Sequence, residues 1–311
     1  MRTLLATTAV ILVAGAASAQ VTFSGYGRFG LGYQEDRQEE ETALVSRFRL
    51  NIDGNAVTDG GVKFQARVRL QADDDPDNNE QTSGTLNGAR YTVEYGGFQV
   101  NAGNVSGAFD NADPYFGFEP GLESITGQYA GIDYNFLEYS STGSGSNAVL
   151  VVYSADSLVL MGSYDPDNSS SNTVGYTGDR WDVSAQYTFA GAYSAYVGYG
   201  ENDNDESLLV GVLGATFDRF SVNLLLGTED MNDEAIDGMV YGVSGSFDVG
   251  AATSILASYG SGEGDSDNEN YMVGFQHDLG GGVSLRGSVG GNGPKDEDTK
   301  VVGDFGVLFN F

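Results

Sequence analysis

The chain has 311 residues, with 14 Lys and Arg against 44 Asp and Glu and no cysteine. A formal charge of −30 argues against nucleic acid, whose phosphates are held by cations, and the lack of Cys excludes disulfide support. Gly is abundant at 46 and Pro scarce at 5, while 40% hydrophobic content argues against disorder, which together indicate a sheet-forming chain.

The N-terminal residues read as an export signal. Arg2 supplies a positive end, Leu4 to Ala17 form a short apolar stretch, and Ala17-Ser18-Ala19 fits a cleavage site with Gln20 opening the mature chain. The predicted organisation is therefore a signal peptide over 1–19 and one domain over 20–311. The signal is too short and too rich in small residues for a membrane span, and no other stretch approaches 18 consecutive apolar residues.

From residue 21 onward the pattern is strand, short turn, strand, acidic loop. The first predicted strand, 21–33, places Phe23, Phe29, Leu31 and Tyr33 on one face and Thr22, Ser24, Tyr26 and Arg28 on the other. The second, 42–54, alternates Leu44, Phe48, Leu50 and Ile52 with Arg47, Arg49, Asn51 and Asp53. The third, 61–72, alternates Val62, Phe64, Val68 and Leu70 with Lys63, Gln65, Arg67, Arg69 and Gln71. A fourth is expected over 84–95, with Arg90, Thr92 and Glu94 inward, and a fifth over 98–105. Residues 106–146 alternate poorly, and an irregular segment of that length tends to be functional. Eleven further strands follow, the last ending KVVGDFGVLFNF, in which Val301, Phe305, Val307, Phe309 and Phe311 share one face.

The connections alternate in kind. Short, small-residue turns such as Gly96-Gly97, Asp218-Arg219 and Gly280-Gly281-Gly282 interleave with longer acidic ones such as 34–41, 73–83 and 229–237. That asymmetry suits a sixteen-stranded antiparallel transmembrane β-barrel, all-β, with short turns on the periplasmic rim and an aromatic final strand closing on the first. A secreted β-sandwich or an acidic calcium-binding structural protein is the alternative. A sandwich also hides an apolar face, so alternation alone does not separate the two. Sixteen strands, aromatic strand ends and the terminal Phe favour the barrel.

Cation placement is the sharpest local signal. Arg28, Arg47, Arg49, Arg67, Arg69 and Arg90 share inward parity on the first four predicted strands. An arginine facing lipid at mid-membrane costs about 2–4 kcal/mol, so six of them indicate a wet interior. Pairing with neighbours such as Asp53 and Glu94 for stability alone is the plainer reading. The long segment carries Asp110, Asp113, Glu119, Glu123, Asp133 and Glu138 and no cation between 106 and 146. Folded into the lumen it would set acids against arginines; lying outside it would be only a solvated acidic surface.

These features resemble the sixteen-stranded trimeric general diffusion porins of the outer membrane, in the short alphaproteobacterial style. The resemblance rests on the signal ending ASA, the strands VTFSGYGRFGLGY, RFRLNIDG and KFQARVRLQ, the long acidic third loop, and the ending FGVLFNF. It implies a third loop folded into the lumen as a constriction. The basic wall then falls on Arg28, Arg47, Arg49, Arg67, Arg69 and Arg90, and the acidic side on Asp110, Asp113, Glu119 and Glu123. It further implies a homotrimer in the outer membrane of a Gram-negative bacterium, contacting lipid and lipopolysaccharide and passing ions and small hydrophilic solutes. The third loop lacks the Pro-Glu-Phe-Gly-Gly motif of enterobacterial relatives, so which acid faces the eyelet stays open.

No catalytic set is visible, since Cys is absent and His277 is the lone histidine, expected in a strand as a structural residue. No cofactor is required. The acidic runs, notably Asp73 and Asp75, and Asp265 and Asp267, offer oxygen ligands that calcium could use, although none has EF-hand or nonapeptide spacing. Acidic mouths and inward arginines pull in opposite directions, and weak cation selectivity is expected.

Overall fold

The structure is a computed structural model that describes residues 20–38, 40–75, 78, 80–166 and 178–311. The expected signal over 1–19 lies outside the described residues.

Sixteen strand positions form among the described residues: β1 (Gln20–Gln34), β2 (Thr42–Val57), β3 (Lys63–Asp75), β4 (Arg90–Tyr95), β5 (Phe98–Gly103), β6 (Ala148–Ala155), β7 (Leu158–Asp165) and β8 (Arg180–Phe189), then β9 (Tyr193–Asn202), β10 (Ser207–Phe217), β11 (Phe220–Asp230), β12 (Gly238–Asp248), β13 (Thr253–Gly262), β14 (Asn268–Gly280), β15 (Val283–Pro294) and β16 (Lys300–Asn310). Each pairs antiparallel with its sequence neighbours. The sheet closes between β1 and β16, in register from Tyr26 opposite Asn310 to Gln34 opposite Val302. Phe311 extends the seam by exchanging backbone hydrogen bonds with Gly25 at 2.9 and 3.0 Å. Closure leaves no strand edge, which lets a sheet cross lipid without orphaned backbone groups.

Side-chain alternation follows the ladder. On β10, Leu209 is 47% exposed between Leu208 and Val210, both at 0%. On β11, Leu224 is 46% exposed beside fully buried Leu225. The same outward parity holds Phe23, Phe29, Leu44, Phe64, Val273 and Phe305 exposed. Around the short-turn rim the outward rings touch: Tyr187 and Phe189 at 6.1 Å, Phe189 and Tyr193 at 5.6 Å, Tyr193 and Phe217 at 5.8 Å, Phe98 and Tyr153 at 4.5 Å. These form an aromatic girdle, and Phe311 joins it against Phe48 at 5.8 Å. Trp181, exposed beside Tyr199, lies toward the opposite rim.

The fourth strand departs from expectation. Instead of running from 84 to 95, it is continuous only from Arg90, preceded by two-residue pieces Glu80–Gln81 and Thr85–Leu86 that pair with β3. The interruption has a cause. The long segment 104–147 returns across it, so that Gly88 donates to Gly143 O at 2.8 Å and Asn87 Nδ2 to Ser140 O at 2.6 Å. A Cβ on Gly88 would sit 1.9 Å from Ser144 O, so only glycine permits this approach. Arg90 therefore opens its strand rather than sitting at its middle.

Residue 224 tests the outer face. Leu224→Arg should cost about 2–4 kcal/mol of folding free energy if it lies near the bilayer midplane, measured by urea titration of the barrel refolded into lipid vesicles.

Candidate functional site

Segment 104–147 is the third of the longer connections and packs on the inward side of the strands. Its only regular turn is a one-turn helix, α1 (Asp113–Phe116), with Pro114 in the first turn. Its apolar side chains Val105, Phe109, Tyr115, Tyr134 and Leu137 are almost fully buried against Leu208, Val210, Val212, Leu225 and Val240, the inward residues of β10–β12.

Polar groups on the strands then hold its backbone. The Glu229 carboxylate on β11 accepts from Asp133 N and, at 2.6 Å, from Tyr134 N. Asp304 on β16 accepts from Leu122 N at 2.9 Å and Glu123 N at 2.8 Å. On β12, Ser244 Oγ accepts from Phe118 N at 2.9 Å and donates to Gln128 Oε1 at 2.7 Å. On β7, Ser163 Oγ accepts from Ala108 N at 3.0 Å. The guanidinium of Arg180, at the start of β8 and 2% exposed, donates to the carbonyls of Asn135 and Phe136 and to Asp165. Charge-assisted bonds of this type are the strong ones.

Glycine makes the room. A Cβ on Gly242 would lie 1.8 Å from Gln128 O, and one on Gly306 2.7 Å from Leu122 Cδ2. Inward Gly198 and Gly200 face Phe109, and Gly260 faces the Gln128 carbonyl. The segment is thus anchored on β7, β8, β11, β12 and β16.

Strands β1–β4 hold the predicted arginines. Register places Arg28 opposite Arg47, Asn51 opposite Arg69, Asp53 opposite Arg67 and Arg67 opposite Arg90. Three of the six meet carboxylates. Arg67 grips buried Asp53 with two bonds, of 2.6 and 2.9 Å, Arg47 bonds Asp73, and Arg28 reaches Glu123 at 3.4 Å and Leu122 O at 3.1 Å. The other three meet neutral groups. Arg49 Nε bonds Gln71 at 2.5 Å, Arg69 Nε bonds Asn51 at 2.9 Å, and Arg90 reaches Gln65 at 3.4 Å. Arg28, Arg49 and Arg69 also touch the long segment, the last two through Ser141.

The predicted acids separate. Glu123 meets Arg28. Asp110 accepts from Tyr139 N at 3.1 Å, and Glu119 from the Tyr129 hydroxyl at 2.8 Å. Asp113 is exposed at the head of α1. Glu138 lines a cavity of about 320 Å³ together with Arg47, Arg49, Tyr139, Ser141 and Arg180. Burial raises the pKa values of Asp110, Glu119, Glu123 and Glu138 above the usual carboxylate range, although Arg28 opposes this at Glu123. Asp133, buried and near Asp267, is pushed up to about 6.

The sequence reading missed the anchors Arg180, Glu229, Asp304 and Ser244, and also Arg286, an inward arginine on β15. Their signal was available as polar residues at inward parity between outward apolar ones, such as Arg180 before Trp181. Of the acidic runs, Asp73 is engaged by Arg47, Asp75 by Asn78 at 2.9 Å, and Asp267 by Gly264 N at 2.8 Å. Asp265 is exposed, and no group of three or more possible metal-ligating side chains converges among the described residues. His277 Nδ1 lies 2.7 Å from Thr253 Oγ1 on outward positions of β13 and β14.

A closed sixteen-stranded barrel with apolar residues outside and a long loop packed within is the architecture of a pore-forming protein of the outer membrane. The chain belongs to the Gram-negative porin family, whose model matches residues 6–296. It is 29% identical to a porin of Fuscovulum blasticum and 24% identical to one of Rhodobacter capsulatus, each comparison spanning 94% of this chain and the whole relative. A solved triple mutant of Rhodopseudomonas blastica porin superposes with a TM-score of 0.78 at 28% identity, again over 94% of this chain and all of that one.

Gly242→Val tests the seating of the loop. The added side chain should displace the segment near Gln128, cost about 1–3 kcal/mol and raise single-channel conductance while the barrel still inserts. Urea titration and planar-bilayer recording check the two effects.

Proposed function

The protein is an outer-membrane porin channel, and we propose that its conduction is governed by an arginine-rich wall on β1–β4 facing the acidic third loop. One observation carries this reading: charge is segregated. Six arginines share inward parity on β1–β4, while residues 104–147 contain acids and no Lys or Arg. A field between such walls orients dipolar solutes and favours small, well-hydrated ones over large or apolar ones. Asp110, Asp113, Glu119 and Glu123, with Glu138, supply the negative side.

On this reading three copies associate as a homotrimer, as family membership supports. Of the acids weighed for calcium, Asp75 and exposed Asp265 suit divalent bridging to anionic lipopolysaccharide, whereas Asp73 is held by Arg47 and Asp267 is buried; conduction itself needs no cofactor. The protein has no catalytic role on this reading. The lone histidine is engaged by a threonine on the outer side, away from the lumen.

Purified protein should form ohmic channels with weak cation selectivity that declines as salt rises and screens the acidic mouths. Failure to conduct, or clear anion preference in reversal-potential measurements, would overturn it. Neutralising Arg67 and Arg69 should increase cation selectivity in the same assay.

Acid should act in the opposite sense. Burial raises the pKa values of Asp110, Glu119, Glu123 and Glu138, so these carboxyls lose charge earlier on acidification than free carboxylates do. Cation selectivity should therefore fall on acidification at a higher pH than free carboxylates would give. Linkage sets the sign for loop seating. The stabilisation from a raised carboxyl is complete below its ordinary range and is lost as pH rises through about 6 for Asp133. Reversal potentials from pH 4 to 8 check the first effect.

A further inference from the structure

The wall arginines are not equivalent. Arg28, Arg47 and Arg67 each lie within ion-pair distance of a carboxylate, whereas among the described residues Arg49, Arg69 and Arg90 do not. These three also form one contiguous group. Arg49 Nη2 and Arg69 Nη1 both reach the Ser141 hydroxyl, at 3.4 and 2.7 Å. Arg69 and Arg90 both lie over the Tyr139 ring, at 4.4 and 5.8 Å from its centre, and Arg49 lies 5.1 Å from the centre of Tyr26.

Holding like charges together in a half-buried setting is costly without a counter-charge. Two polar atoms in the group are also buried without a hydrogen-bond partner among the described residues, Arg90 Nε and the Tyr139 hydroxyl. Arg49, Tyr139 and Ser141 border the cavity of about 320 Å³, and Arg69 and Arg90, which do not line it, are half-buried.

We propose that Arg49, Arg69 and Ser141, backed by Arg90 through Tyr139, form a saturable binding site for small oxyanions inside the channel. Guanidinium forks match the oxygen pairs of carboxylate, sulfate and phosphate, a geometry that chloride does not share. The serine hydroxyl that now accepts from two arginines can rotate to donate to a bound oxygen. Glu138 borders the same cavity and repels the anion, so occupancy is transient and turnover continues. Among the ion-paired arginines of this wall, Arg47 borders the same cavity but is already met by Asp73, whereas Arg28 and Arg67 do not line it. This inference rests on the channel reading and extends it from bulk selectivity to a discrete site with a preferred solute class.

The test is single-channel recording in potassium chloride with potassium sulfate added stepwise at constant ionic strength. Wild-type protein should show a saturable reduction of current. The double variant Arg49→Gln, Arg69→Gln should need about tenfold more sulfate for half effect. Ser141→Ala should shift it less, in the same direction. Lys63→Gln removes one positive charge at the short-turn rim, away from the site, and should leave the half-effect concentration unchanged. The current that each variant carries without sulfate reports that it has folded. A linear response without saturation, or an equal shift in Lys63→Gln, would overturn the site and leave the channel intact. A protein that carries no current would overturn the channel reading, and the site with it. Replacing sulfate by acetate separates recognition of a planar carboxylate from that of a tetrahedral dianion. Saturation by either supports the oxyanion site, and saturation by neither removes it.

Discussion

Pairing of the last strand with the first is the constraint on which the molecule depends. In hydrocarbon, an unpaired backbone amide or carbonyl has no water to turn to, so a sheet survives there only when its edges meet. The β1–β16 seam meets that demand, and Phe311 continues it past the last regular strand residue. Once the sheet is closed, strand alternation separates two solvents. Leu209 and Leu224 face one, while Arg67 and Glu229 face the other.

Closure also creates the problem that the third long loop solves. A barrel of this girth encloses more space than its inward side chains fill. The loop occupies one side with its own apolar cluster, built on Phe109, Tyr115 and Leu137. It stays there because the wall was shaped for it. Gly242, Gly260 and Gly306 yield space, and Glu229, Asp304, Ser244 and Arg180 take up backbone groups that would otherwise be stranded away from water. The six arginines lie on β1–β4, offset from the strands that carry those anchors.

The electrostatics follow from that offset. Arginines with carboxylate partners serve the wall itself, since each charge is compensated locally. Arginines on Asn51, Gln71 and Gln65 keep their charge available to what passes. Burial raises the pKa values of Asp110, Glu119, Glu123 and Glu138 in the loop.

Much of this was legible in the chain. A period of two, short turns alternating with acidic loops, and an aromatic ending determined a closed membrane barrel, because those features depend only on local backbone geometry and on the solvent each face meets. Inward parity likewise grouped the six arginines on β1–β4. The interrupted fourth strand was not legible, because its partner is a loop backbone more than 50 residues away, at Ser140 and Gly143. Nor was the division of the arginines into paired and unpaired, which depends on cross-strand register and on where Ser141 and Tyr139 come to rest. The carboxylates that hold the loop looked like any other inward polar residues. The sequence alone determined the barrel and its solvent; the tertiary structure decided the loop's contacts and which arginines meet carboxylates, because those depend on contacts between residues far apart in the chain.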